Sequence, residues 1–196
     1  MTAMPDPRDE LRAVLDHDPR PTPAPGDRLA AVLALLIREP ETSLLFTERA
    51  MELRRHPGEV SFPGGLTEPG DPDLATTALR ETEEEVGLPR DAVELLGALA
   101  PVHTYVSGIL VTPFVGTVPT LPTLGVSDGE IVRVLTPSLA SLDAVEEERV
   151  YRRGGEETWR GWAYPVEGTT IWGATGWMLH SLLERLRKET SWLTQL

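Results

Sequence analysis

Between Gly64-Gly65 and Leu88 the chain concentrates carboxylates beside a glycine turn, ending in Arg80-Glu81-Thr82-Glu83-Glu84-Glu85-Val86-Gly87-Leu88. The segment predicts a helix that starts near Asp73. Asp71 or Asp73 can cap it, with Pro72 at or near its first turn. Gly87 stops it, and Pro89 lies just beyond. At about 100° per residue, Glu81, Glu84 and Glu85 share roughly one third of the circumference. Ala75, Ala78, Leu79, Thr82 and Val86 form an adjacent face suited to packing on a sheet. Glu83 points away, and Arg80 can pair with Glu84 one turn on. Like charges so close repel, and a cation relieves the repulsion. Clustered hard oxygen donors suit Mg²⁺ or Mn²⁺, which share phosphate oxygens with a substrate. The chemistry indicated is attack on a phosphoryl group. The alternative is a solvated acidic face with Arg80 as counter-ion.

Upstream, Arg49 and Arg54 stand out in a chain of net charge −13. Guanidinium forks match phosphate oxygens and stack on purine rings. Gly58, Gly64 and Gly65 would let backbone approach a phosphate closely. Read without further pattern, the same residues are surface charges and ordinary turns.

The run from Arg80 to Leu88 resembles the Nudix box, usually G-x5-E-x7-R-E-U-x-E-E-x-G-U with U aliphatic. Thr82 replaces the aliphatic residue. The head of the box differs: Gly65 to Arg80 is one residue longer than the pattern, and Asp71 stands where the first Glu would be. A longer head is similar to that of the coenzyme A pyrophosphatases. A second motif of that subgroup, L-L-T-x-R-[SA]-x3-R-x3-G-x3-F-P-G-G, matches Leu45 to Gly65 without a gap, with Phe46 for the second Leu. Val111-Thr112-Pro113 and Ile171-Trp172-Gly173-Ala174-Thr175 also resemble the subgroup, so the likeness covers roughly residues 28–185.

This resemblance implies an α/β fold, a Nudix-type α/β/α sandwich with a mixed sheet between helices. It implies hydrolysis of the pyrophosphate of coenzyme A or a derivative, giving 3′,5′-ADP and 4′-phosphopantetheine or its acyl form. The expected ligands of Mg²⁺ or Mn²⁺ are Glu81, Glu84, Glu85 and the backbone carbonyl near Gly65. Arg80 would orient the glutamates, and Glu84, another glutamate of the cluster or Glu130 would take the proton of the attacking water. Arg49, Arg54, Gly58, Phe62 and Gly64 are the expected substrate contacts. Rival readings are a Nudix hydrolase for ADP-ribose or another nucleoside diphosphate derivative, a non-catalytic nucleotide-binding module, and an accidental acidic helix. The absence of cysteine disfavours an NADH-type enzyme with zinc cysteines.

Composition narrows the partners. The 196 residues suit one domain, with residues 1–27 as an N-terminal helix and proline-rich linker and 28–196 as the catalytic domain. The strongly acidic balance disfavours nucleic acid and membrane surfaces. It also makes a polyanionic substrate hard to approach without a metal or local arginines. With no cysteine, disulfides and thiol catalysis are excluded. No signal peptide is expected, and the apolar run Leu29 to Ile37 is too short to span a bilayer. A cytoplasmic protein with a small-molecule substrate is the expectation, and tryptophans near the C-terminus could build a homodimer contact.

The remaining pattern predicts a helix over 7–17 and strands over 29–38, 43–49, 93–99, 109–118 and 130–135. Pro113 should mark an edge or bulge. A short helix is expected over 137–142, a hairpin of 147–151 with 158–164 around Gly154-Gly155, and an amphipathic helix over 172–188. Glu146-Glu147-Glu148 reads as a solvated face. His56 could touch phosphate and His103 could donate a proton, though each is as well explained as structural. Tyr105 and the tryptophans read as packing residues.

Overall fold

The computed structural model describes residues 6–53, 56–104, 108–126, 129–153 and 157–190. In chain order these form α1 (Pro7–Val14), β1 (Arg28–Ile37), β2 (Ser43–Leu44), β3 (Phe46–Arg49), β4 (Val60–Ser61), β5 (Gly64–Leu66) and α2 (Leu74–Val86). After a 3-10 turn at Arg90–Ala92 follow β6 (Glu94–Ala98), β7 (Val102–Thr104), β8 (Ile109–Val118), β9 (Ile131–Leu135) and α3 (Leu139–Val145). The chain continues through β10 (Glu147–Arg153), β11 (Glu157–Val166), β12 (Thr169–Ile171) and α4 (Gly173–Glu189).

β1 organises the molecule. It pairs in parallel with β8 over its whole length, from Arg28↔Ile109 to Ile37↔Val118. On its other edge it pairs antiparallel with β5 near its start and with β2 near its end. β6 and β7 share the far edge of β8, which completes a six-stranded mixed sheet. Successive side chains of a strand face opposite ways, and β1 is apolar on both faces. Ala31, Leu33, Leu35 and Ile37 pack with Ala78 and Val86 of α2. Ala30, Val32, Ala34 and Leu36 pack into a second core with Leu11 and with Met178, Leu179, Leu182, Leu183 and Leu186 of α4. The sheet therefore lies between helical layers, the α/β/α architecture expected.

Two three-stranded sheets complete the fold, β4-β3-β9 and β10-β11-β12. The single strand expected over 43–49 is two, since β2 joins the central sheet and β3 pairs with β4 and β9. The change falls at Leu45, which is fully buried and still donates its N–H to Leu35 at 3.2 Å. Pro113 lies in a central strand, not at an edge. It sits where β6 gives way to β7, so its missing N–H interrupts neither partner. The strands β4, β5, β7 and β12 are too short to leave a periodic signal.

The N-terminal helix is built into the domain. Asp6 caps α1 and accepts the Arg8 N–H at 2.9 Å. Arg8 and Arg12 both reach Glu94 of β6, at 2.9 and 2.6 Å. Arg185 of α4 donates to the Val14 carbonyl, and Asp16 bridges to Ala98. Among the described residues no helix is long and apolar enough to cross a membrane. Leu11 has no exposed surface, so Leu11→Ala should cost about 3 kcal/mol of stability. Urea denaturation measures it; a loss below about 0.5 kcal/mol would show that α1 contributes little to the domain.

Candidate active site

α2 is positioned at both ends by its own sequence. Asp73 is the N-cap, accepting the Thr76 N–H at 2.7 Å, and Pro72 immediately precedes the cap. Gly87 closes the helix in the left-handed conformation, its N–H donated to Glu83. Ala78, Thr82 and Val86 are buried against the sheet. Thr82 fits this face because its hydroxyl donates to the Ala78 carbonyl at 2.7 Å, which leaves its methyl for packing.

The opposite face meets the loop that carries Gly64 and Gly65. Gly64 has φ +150°, and a Cβ there would lie 2.5 Å from the Val32 Cα. Only glycine lets this turn lie flat on β1. A Cβ on Gly65 would sit 2.6 Å from both carboxylate oxygens of Glu81. The glycine pair thus leaves the space that the Glu81 carboxylate occupies.

Arg80 holds this arrangement. Its Nε and Nη2 grip both oxygens of Asp71 at 3.0 Å. Nη2 also donates to the Leu66 carbonyl at 3.1 Å, and Nη1 to Glu81 and Glu84 at 3.0 and 3.1 Å. Asp71 further accepts the Glu68 N–H and the Thr77 hydroxyl, each at 2.9 Å. The side chains of Asp71 and Arg80 are only 4% and 12% exposed. The Arg80 guanidinium accordingly holds the Asp71 carboxyl well below the usual carboxylate range. Asp71 is therefore no helix cap; its role as partner of Arg80 was missed from the sequence. The available signal was a carboxylate just ahead of the N-cap.

The three glutamates have different surroundings. Glu84 is the most exposed and turns to Arg80. Burial raises the Glu81 pKa, and Arg80 opposes the rise. Among the described residues Glu85 has no cation in hydrogen-bond contact; its carboxylate accepts the Gly64 N–H at 3.3 Å. Burial pushes it up to about 7, with Glu81 and Glu130 adding repulsion while Gly64 and Arg49 oppose. Glu83 turns away and pairs with Arg90. Among the described residues no three acidic or imidazole groups converge into a ready-made metal cluster. The donor set nevertheless fits a hard divalent cation: Glu81 and Glu85 are half-buried, repel each other and lie against the glycine turn.

Arg49 and Glu130 come from adjacent strand ends. Glu130 accepts the Ala50 N–H at 2.8 Å, and its carboxylate lies 3.8 Å from the Arg49 guanidinium. The Arg49 Nε is buried without a hydrogen-bond partner. Arg54 and Tyr105 lie outside the described residues. Gly58 adopts φ +66° beside the Met51 side chain. Phe62 is 1% exposed and stacks on Phe46 in the core, so its side chain supports the loop from behind. His56 pairs with Glu59, and His103 with Asp27 at 3.0 Å. Glu146 is corrected, since it is half-buried and bonds Tyr164 and Arg187 at 2.7 and 3.0 Å.

A family model described as NUDIX domain matches residues 27–153. The chain belongs to the Nudix family. It is 38% identical over 165 residues to "Uncharacterized Nudix hydrolase NudL" of Photorhabdus laumondii, covering 83% of this chain and 87% of that one. The protein of the same name from Salmonella paratyphi B is 41% identical over 161 residues, covering 80% and 82%. A MutT/nudix family protein from Enterococcus faecalis superposes with a TM-score of 0.52 at 15% identity, over 87% of this chain and 66% of that one. That likeness speaks to the fold alone. The Nudix box thus falls on α2 and the loop before it, and the chain is a Nudix hydrolase, an enzyme class that opens pyrophosphate linkages of nucleoside diphosphate derivatives.

Removing the Asp71 carboxylate leaves Arg80 buried with part of its charge unanswered. Asp71→Ala should cost about 3 kcal/mol, read from urea denaturation; a change under about 1 kcal/mol would mean that the pair behaves as a surface bridge. Glu85 supplies a test of opposite sign. Its folded pKa lies above the ordinary 4.5, so the folded state holds the proton more tightly. Stability then falls as pH rises from about 4.5 to about 7 and is level above. In chelator, Glu85→Gln should be more stable than the parent by about 3 kcal/mol at pH 8 and equal to it near pH 4. Thermal melts at the two pH values decide; a variant less stable at pH 8 would contradict the buried, uncompensated carboxylate.

Proposed function

We propose that this Nudix hydrolase cleaves the pyrophosphate of coenzyme A or a derivative, releasing 3′,5′-ADP and 4′-phosphopantetheine or its acyl form. The observation that carries the reading is the ungapped motif from Leu45 to Gly65. Both of its ends act on Glu85, Arg49 through its charge and Gly64 through an N–H hydrogen bond at 3.3 Å. Coenzyme A carries a 3′-phosphate besides its pyrophosphate. Arg49, with a buried Nε free of protein partners, supplies cationic contact in a chain of net charge −13. Arg54 belongs to the same motif and is assigned the same task.

In this reading Glu81 and Glu85, with Glu84 and the Gly65 carbonyl, would hold Mg²⁺ or Mn²⁺, which when bound would polarise phosphoryl oxygens and stabilise the leaving oxygen. Arg80 holds Glu81 beside the glycine turn and binds Glu84 through the same nitrogen. Water forms the new P–O bond as the bridging P–O bond breaks. Its proton passes to a carboxylate, and Glu130 is suited to take it. Glu130 is 62% exposed, and its field reaches both Arg49 and Glu85. Gly58 and Gly64 let backbone approach the phosphates.

Incubation with coenzyme A and Mg²⁺ or Mn²⁺, beside ADP-ribose and NADH, tests the substrate. Release of 3′,5′-ADP should exceed release of AMP from the other two by at least about tenfold, a difference of about 1.4 kcal/mol. Faster cleavage of ADP-ribose would discard coenzyme A and keep the hydrolase. Glu85→Gln should lower turnover by at least about 10³-fold, or about 4 kcal/mol, with the fold intact by circular dichroism. Near-normal turnover in that variant would remove Glu85 from the metal site.

A further inference from the structure

β10 ends its sheet, and among the described residues no strand pairs with its outer edge. Glu147, Glu148, Arg149, Val150 and Arg152 are all exposed, Val150 to 57%. A free edge of seven residues offers a row of unpaired N–H and C=O groups. Proteins usually blunt such an edge with scattered charge, but here the charge is ordered. The strand reads Glu-Glu-Arg-Val-Tyr-Arg-Arg, with acids at its start and bases at its end. A strand of that order complements a second copy of itself laid antiparallel.

We infer that two copies of this chain join edge to edge through β10, antiparallel about a two-fold axis at Val150, into one continuous sheet. A two-fold that relates antiparallel neighbours stands perpendicular to the sheet and passes level with the same residue of each strand. Few registers are therefore possible, and charge separates them. At Val150, Glu148 stands opposite the partner's Arg152, a pair that occurs twice. Arg149 stands opposite the partner's Tyr151, an uncharged residue that adds no repulsion. Centred on Glu148, Arg149 or Arg152, the middle residue would face its own charge. Centred on Tyr151, Arg152 would face the partner's Val150 and lose its acidic partner.

The strand is also stiff enough to serve as a template. The Tyr151 ring stacks between Trp159 and Trp172, with centroids 5.6 Å from each. Holding its middle in advance lowers the ordering cost of association. Within one copy, Glu147 pairs with Arg149 and Glu148 with Arg160. Both are exposed pairs, each worth little alone, so they leave their charges available across the axis. Only Val150 lies at the centre, and its exposed side chain would meet its own copy.

Sedimentation velocity on the full chain at micromolar concentration should show a dimer. Glu148→Arg and Arg152→Glu each place like charges at both symmetry-related positions. Each should raise the dissociation constant about tenfold or more, and the double exchange should return it to within about threefold of the parent. Because the chain has no cysteine, Val150→Cys gives one thiol per copy at the axis. Facing Cα atoms there would lie about 4.5–5.5 Å apart, within disulfide reach. Mild oxidation should cross-link that variant, while Val132→Cys, on β9 and 62% exposed, should stay uncross-linked. A monomer throughout would overturn the inference. So would a dimer indifferent to both reversals and not cross-linked by Val150→Cys, which would move the contact to another surface, with exposed Trp172 and Trp177 the first to examine.

Discussion

The guanidinium of Arg80 is the point on which the site depends. It joins the loop before α2, through Asp71 and the Leu66 carbonyl, to the helix itself, through Glu81 and Glu84. Burying an ion pair is costly unless nearly every donor and lone pair is answered. Here Asp71 takes both forks of the arginine and two further donors from Glu68 and Thr77. Because that requirement is met, Glu81 lies in a fixed place against Gly65. Among the described residues Glu85, one turn along, has no such cation in contact, and burial and repulsion outweigh Arg49 and the Gly64 N–H. One carboxylate is compensated by protein and its neighbour is not. The uncompensated one gives the cluster its appetite for added positive charge.

This arrangement rests on β1. The strand receives α2 on one face and α4 with α1 on the other, and Gly64 lies against its backbone. The catalytic helix and the glycine turn are thus referred to the same buried strand, one by side chains and the other by hydrogen bonds. The Leu33 N–H donates to the Pro63 carbonyl at 2.9 Å, and Thr67 donates to Leu29. The loop is held along its length and gains order that its glycines alone would not provide.

Much of this was legible in the chain. The apolar run of β1, the caps of α2 and the patterns of β8 and α4 placed these elements within a residue or two. What escaped depends on partners distant in sequence. Glu146 sits in an acidic run, yet its bonds go to Tyr164 and Arg187, 18 and 41 residues away. Phe62 belongs to the motif that suggested ligand contact, but stacking on Phe46 decided its burial. The residues of β4, β5 and β12 have no alternation to read, because pairing alone makes them strands. Asp71 was visible as a departure from the box and invisible as the anchor of Arg80, since nothing local joins residues nine apart.

The two-sided burial of β1 sets what change this lineage of sequences can absorb. Ala30, Val32, Ala34 and Leu36 serve one core, and Ala31, Leu33, Leu35 and Ile37 the other. Exchange of one aliphatic residue for another disturbs one neighbourhood. Insertion or loss of a single residue would send every later side chain to the wrong core and shift the chain against β8 and the glycine turn together. Length variation should therefore collect in the connections, such as the stretch between β8 and β9, while β1 keeps its count even where its residues drift.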